Sequence, residues 1–244
     1  MTPLILACLS AACAFGGEPS DVGSYLYEPA YHLDLKLRGD ARAYVPQPGD
    51  IMVYTDSNMF WEITHDLALA FQPHGSGVVV RRKDGSLGIL EAGPNDTMHV
   101  NTLDMLPHLH EYECKGPVWI RKRKTPLTQE QCECLAEWAE RQEGKKFALI
   151  RLGGQLTLLR HRGPIRTWFI GKPCGERDSY FCSELVTETL VHVGLIDAAT
   201  ARPSATYPHE LFYDWSFNPY LNTHFSLAEN WEPPARWVSA PVGK

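Results

Sequence analysis

The sequence has no long apolar run: its most hydrophobic opening, Pro3 to Leu9, falls far short of the ~20 residues a helix needs to cross a bilayer. It also has little concentrated positive charge. The densest basic stretch is Arg121-Lys122-Arg123-Lys124, in a chain of formal net charge −6. Nucleic acid is therefore not an expected partner, because phosphate binding needs a positive face or stripe; the short basic run reads as a solvated strand end. Internal repeats, linkers and low-complexity blocks are missing, so the 244 residues suit one domain. Cysteine is sparse, at positions 8, 13, 114, 132, 134, 174 and 182. Without the two near the start an odd number remains, which does not describe a disulfide framework. Cys132-Glu133-Cys134 has no second Cys or His pair nearby to complete a zinc site. Neither a metal nor a cofactor is expected, and the odd count leaves room for a free, reactive thiol.

What is present is ordinary globular composition, 44% hydrophobic and 21% charged, enough for a large core without disulfides or metals. Met1 to Gly17 reads as an export leader, with a short apolar segment followed by the small residues of Ala11-Ala12-Cys13-Ala14. The expected division is a signal or lipoprotein leader over 1–17 and a single domain over 18–244. A leader of this kind implies a bacterial-type exported protein, periplasmic, extracellular or lipid-anchored. It leaves room for peripheral membrane association through the leader or a lipid on Cys8 or Cys13.

Residues 18–45 show no period and read as an extended approach. Pro46-Gln47-Pro48-Gly49-Asp50 is a turn launching the strand Ile51-Met52-Val53-Tyr54. His65-Asp66-Leu67-Ala68-Leu69-Ala70-Phe71 alternates with period two and predicts a strand. Val78 to Arg82 and Leu87 to Glu91 flank Asp84-Gly85, which predicts a hairpin; Met98 to Val100 and Val118 to Arg121 are further candidate strands. After Pro126 helices dominate. Thr128 and Gln131 form a capping box for a helix ending near Glu143, and a second helix runs from Ser179 or Tyr180 to Val193, stopped by Gly194. The reading is one α+β domain.

Cysteine catalysis needs a thiol, a His to take its proton and a polar group to orient that His. Cys182 lies in the first turn of the second helix, where unsatisfied N–H groups favour a thiolate. It also opens that helix's apolar stripe with Leu185, Val186, Thr189, Leu190 and Val193. His65 is in phase with Leu67, Leu69 and Phe71, and Glu91 with Leu87 and Ile89. A His and a carboxylate at the ends of core-facing rows could converge on the thiol, with the Cys182 N–H as oxyanion donor. Singly, each has a plain structural reading: a core Cys, a rim His, a turn-capping Glu. Tyr54, Trp61 and Tyr180 are candidates for lining the substrate beside them. His108-Leu109-His110 could place two imidazoles on one strand face toward a metal, with Glu111 or Glu113 nearby, though no clear third ligand is in phase. Cys174 could pair with Cys114 after export.

The segments Pro48-Gly49-Asp50-Ile51-Met52-Val53, Thr64-His65-Asp66-Leu67-Ala68-Leu69, Leu90-Glu91-Ala92 and Tyr180-Phe181-Cys182-Ser183-Glu184-Leu185-Val186 together resemble the permuted papain-like cysteine hydrolases. The branch they are most similar to is the YiiX/YebB-like one of the NlpC superfamily. Gly144-Lys145-Lys146-Phe147 and Pro208-His209-Glu210-Leu211-Phe212 resemble further steps of that pattern, which spans about residues 46–215. The chain departs from it in the residues after His65 and in a long insert from Pro94 to Pro117. The resemblance implies a circularly permuted papain-like fold, with an antiparallel sheet packed against the helix carrying the nucleophile. It implies Cys182 as nucleophile, His65 as base and Glu91 as third member. The expected activity is cleavage of an amide bond in a peptide, a cell-wall peptide or an acyl amide, through a Cys acyl-enzyme. Acyltransfer or lipid (thio)ester cleavage on the same fold, and a non-catalytic binding domain, are the alternatives.

Overall fold

A computed structural model describes residues 23–27, 37, 39–55, 62–63, 66, 71–94, 97–150, 174–215 and 226–240. Among them the chain is an α+β fold built on one mostly antiparallel sheet. Its strands are β1 (Tyr25–Tyr27), β2 (Arg42–Ala43), β3 (Ile51–Tyr54), β4 (Gly75–Arg81), β5 (Leu87–Ala92), β6 (Val100–Asp104), β7 (Val118–Arg121) and β10 (Ala235–Val238). They stand in the order β2-β1-β10-β7-β3-β4-β5-β6. A separate parallel pair joins β8 (Lys146–Phe147) to β9 (Ser179–Tyr180). The helices are α1 (Met105–Lys115), α2 (Gln129–Gln142), α3 (Cys182–His192) and α4 (Pro208–Tyr213). No helix among the described residues is long and apolar enough to cross a membrane.

The central strands are buried on both faces, and their alternation sorts side chains between two apolar layers. Ile51, Val53, Val78, Val80, Leu90, Ala92 and Trp119 pack with Leu135 and Trp138 of α2, Leu185, Val186 and Leu190 of α3, and Leu211 and Phe212 of α4. Met52, Tyr54, Val79, Ile89, Val118 and Ile120 pack on the other face with Met105, Leu109 and Tyr112 of α1. Side-chain period two makes this division strict, so a residue's parity decides which helix it meets.

Local signals account for most boundaries. Thr128 Oγ1 accepts from the Gln131 N–H at 3.2 Å, and Gln131 Oε1 accepts from the Thr128 N–H at 3.0 Å, closing the expected capping box. Thr128→Ala is expected to lower stability by about 1 kcal/mol, read as a lower urea midpoint at unchanged slope. Gly144 and Gly194 adopt φ of 77° and 73° just beyond α2 and α3, the left-handed stop that glycine takes without strain. The hairpin between β4 and β5 forms as its Asp84-Gly85 tip predicts, with Arg81 opposite Leu87 and Gly85 at φ 84°.

Asp50 ties the start of β3 to its surroundings. Its fully buried carboxyl accepts from the Tyr44 hydroxyl at 2.8 Å, the Gln47 N–H at 3.1 Å and the Arg123 N–H at 2.7 Å. It therefore joins the turn to the end of β7, and Trp231 locks the same turn by donating to the Gly49 carbonyl at 2.9 Å.

Several expectations are corrected here. Of the run from His65 to Phe71 only Asp66 and Phe71 are among the described residues; Asp66 is helical, as are Glu62 and Ile63 just upstream, and the strand paired with β3 is Gly75–Arg81. Its last residues, from Val78, were expected as a strand, but two glycines disguised its start, because they carry no period and no β propensity. Gly75 is required there: a Cβ on it would lie 2.0 Å from Cζ of Tyr54. His108 and His110 lie on α1, not on a strand, so two residues' separation turns them to different faces. The stretch read as an extended approach without a period contributes β1 and β2, and the C-terminal part contributes β10, which sits between β1 and β7. Ser179 and Tyr180 belong to β9, so α3 begins later than expected, at Cys182 itself. Cys114 and Cys174 are both free.

Candidate active site

Phe181 is extended (φ −80°, ψ 162°) and its carbonyl accepts the first helical bond, from the Leu185 N–H at 2.9 Å. Cys182 is therefore the first helical residue of α3, where N–H groups have no partner within the helix. The strand β9 leads into it and is anchored by β8, with Phe147 paired to Tyr180. Two bonds from the other side fix the same corner: Phe181 N–H donates to Glu184 Oε2 at 3.2 Å, and Ser183 Oγ donates to the Thr206 carbonyl at 2.7 Å. The sequence Phe-Cys-Ser-Glu thus uses its Ser and Glu to hold the helix end still beneath the thiol.

The sulfur lies against the start of β4. Cys182 Sγ donates to the His74 carbonyl at 3.8 Å. Ser76 and the N–H of Ser183 act on its ionisation and favour its charged form. Burial outweighs them. It pushes the thiol up to about 11, and the negative charge of Glu91 adds to the effect. At neutral pH the resting sulfur is a thiol, so nucleophilic attack requires a base.

Glu91 is fully buried but stands on the other face of the sheet. It is opposite Gly77 in register and out of phase with Leu90 and Ala92, which meet α3. Its Oε2 pairs with His108 Nε2 of α1 at 2.8 Å, and its Oε1 accepts from the Tyr54 hydroxyl. Tyr112 closes the group, its ring 3.8 Å from that of Tyr54 and 4.5 Å, edge-on, from that of His108. Burial first, then the charge of Glu91, holds the Tyr54 phenol well above its ordinary range. The next residue of β5 on the thiol's own face is Ala92.

The geometry brings Cys182 and Glu91 to opposite sides of the same strands. Tyr54 is with Glu91 on the α1 side. Tyr180 is fully buried, and its hydroxyl accepts from the Arg177 N–H at 2.8 Å. His65 and Trp61 lie outside the described residues. Sequence reasoning passed over two residues at the thiol, His74 and Ser76. Both are in phase with Val78 and Val80 on the α3 face, and His74 extends the ladder by donating its N–H to the Tyr54 carbonyl at 3.0 Å. The signal was available in His74-Gly75-Ser76-Gly77-Val78, once glycine is allowed inside a strand. Among the described residues no group of three or more His, Cys, Asp or Glu side chains could hold a metal ion.

No protein-family model matches the chain, and no match is found among curated proteins. Among solved structures the chain is similar to the crystal structure of metalloprotein YiiX from Escherichia coli O157:H7, at 20% identity and a TM-score of 0.43. That similarity covers 62% of this chain and 67% of that one.

Proposed function

We propose that the chain is a thiol-dependent hydrolase of the circularly permuted papain-like type, cleaving amide bonds with Cys182 as nucleophile and His65 as base. The observation that carries this reading is the thiol at the first position of α3, its sulfur set against the His74 carbonyl at the start of β4. In the reaction the imidazole takes the Cys182 proton as sulfur bonds to the carbonyl carbon. The oxyanion of the tetrahedral intermediate is held by the helix-tip N–H of Cys182. Its collapse breaks the C–N bond, and the amine leaves with the proton from the imidazolium. Water then attacks the thioester with the same imidazole as base, releasing acid and restoring the thiol. Transfer of the acyl group to an acceptor other than water would use the same steps. His74, in phase with Ser76 beside the sulfur, is the second candidate for the base.

A non-catalytic binding domain is favoured by one observation, the thiol held at about 11. An amide probe bearing an electrophile at its carbonyl separates the readings. Preferential labelling of Cys182 over the exposed Cys114, lost in His65→Ala but kept in His74→Ala, supports the hydrolase with His65 as base. The reverse pattern assigns the base to His74. Equal labelling of Cys182 and Cys114 at neutral pH supports the binding domain.

A further inference from the structure

The cluster on the α1 face of the sheet has no part in the reaction just described, yet it is a closely enclosed polar group behind the strand that carries the thiol's contacts. Glu91, His108 and Tyr54 are 0%, 3% and 7% exposed, too little for any of them to meet a substrate. Buried ionisable groups are costly and persist where they are paired. Here His108 and the Tyr54 hydroxyl engage the two carboxyl oxygens separately.

The strand between this cluster and the sulfur is unusually thin. Gly75 and Gly77 present no side chains toward α1, and a Cβ on Gly75 would collide with the Tyr54 ring. Tyr54 therefore packs directly on the backbone whose neighbouring His74 carbonyl accepts from the thiol. Glu91 lies opposite Gly77 in the adjoining strand.

We infer that Glu91, held by His108 and Tyr54, is a positioning residue that acts on Cys182 from behind the sheet, its carboxylate opposing formation of the thiolate. Among the described residues the groups that face it are few. Tyr54 comes from β3, His108 and Tyr112 from α1, and uncharged Asn101 is its register partner on β6. Cys182 is the ionisable group that α3 brings to the far side. The negative charge of Glu91 is the second cause, after burial, of the thiol's reluctance to ionise. A thiol restrained in this way is nucleophilic only where a base receives its proton.

The inference rests on Cys182 as the reactive thiol, but its test reads alkylation and not turnover, so it succeeds or fails apart from the hydrolase reading. The probe is iodoacetamide, and the readout is the pH at half-maximal alkylation rate of the peptide containing Cys182. Glu91→Gln is expected to move this midpoint down by roughly one pH unit, the order of effect that one partly screened charge has on a neighbouring group. A triad in which Glu91 steadies an imidazolium beside the thiolate predicts the opposite sign. A midpoint that stays or rises therefore overturns the inference. The triple variant Glu91→Met, His108→Leu, Tyr54→Phe replaces the cluster by apolar groups, a change that buried ion pairs commonly tolerate. It should shift the midpoint in the same direction, and an unshifted triple variant overturns the inference as well.

Discussion

Cys182→Ala is expected to abolish turnover of an amide substrate, a loss of at least about 10³-fold, because no other group can form the acyl-enzyme. The fold should hardly change. Cys182 is half-buried and belongs to neither apolar layer, so truncating its sulfur opens little space. The corner is held by Glu184 on the Phe181 N–H and by Ser183 on the Thr206 carbonyl, neither of which the substitution removes. The thermal midpoint should move by no more than a few degrees, within the range of a change of about 1 kcal/mol. Turnover that survives in this variant, measured with the same amide and free of contaminating activity, sinks the mechanism. Cys182→Ser is the companion: an alkoxide is far harder to form than a thiolate, so it should be almost as inactive.

The largest effect on stability is expected at Asp50. Asp50→Ala leaves the Tyr44 hydroxyl and the Gln47 and Arg123 N–H groups without their acceptor in a dry turn. The expected loss is about 3 kcal/mol by urea unfolding near pH 6, as for buried donors left unmade. A loss below about 1 kcal/mol would show that water or a rearranged turn replaces the carboxyl. The pH dependence gives a second check. Burial pushes Asp50 up to about 7 from an ordinary 3.8. The folded state then binds the proton more tightly than the unfolded one. Its contribution is fully present below about pH 4 and is lost as the pH rises through about 7. Glu188, pushed up to about 7 by burial, contributes with the same sign. The slope of stability between pH 4 and 7 should therefore be shallower in Asp50→Ala than in the parent, but not zero.

Much of the architecture was legible because strong local signals agreed with the tertiary arrangement. Thr128 and Gln131 announced α2, Gly144 and Gly194 its end and that of α3, and Asp84-Gly85 the hairpin. What was missed was chosen by neighbours: the first residues of β4, and β1, β2 and β10. Gly75 and Gly77 are poor strand formers, kept where Tyr54 and Ile89 press on the backbone. β1, β2 and β10 are two to four residues long and exist because they pair with one another and with β7. The histidines of α1 were misread because a short apolar-polar alternation fits a strand as well as a turn of helix.

By itself the sequence determined that a thiol stands at the start of an apolar helix, Phe181-Cys182-Ser183-Glu184-Leu185, because capping chemistry and periodicity are local properties. It also determined that Glu91 ends a row with Leu87 and Ile89. Only the tertiary structure decided which helix that row meets. In a strand buried on both faces each parity is apolar, so the pattern names two faces without saying what covers either. Packing put α1 and His108 over the Glu91 row, and α3 and Cys182 over the row of Ser76, Val78 and Val80. The carboxylate read as a partner of the catalytic base thus stands behind the sheet, and its charge reaches the thiol through the backbone of β4.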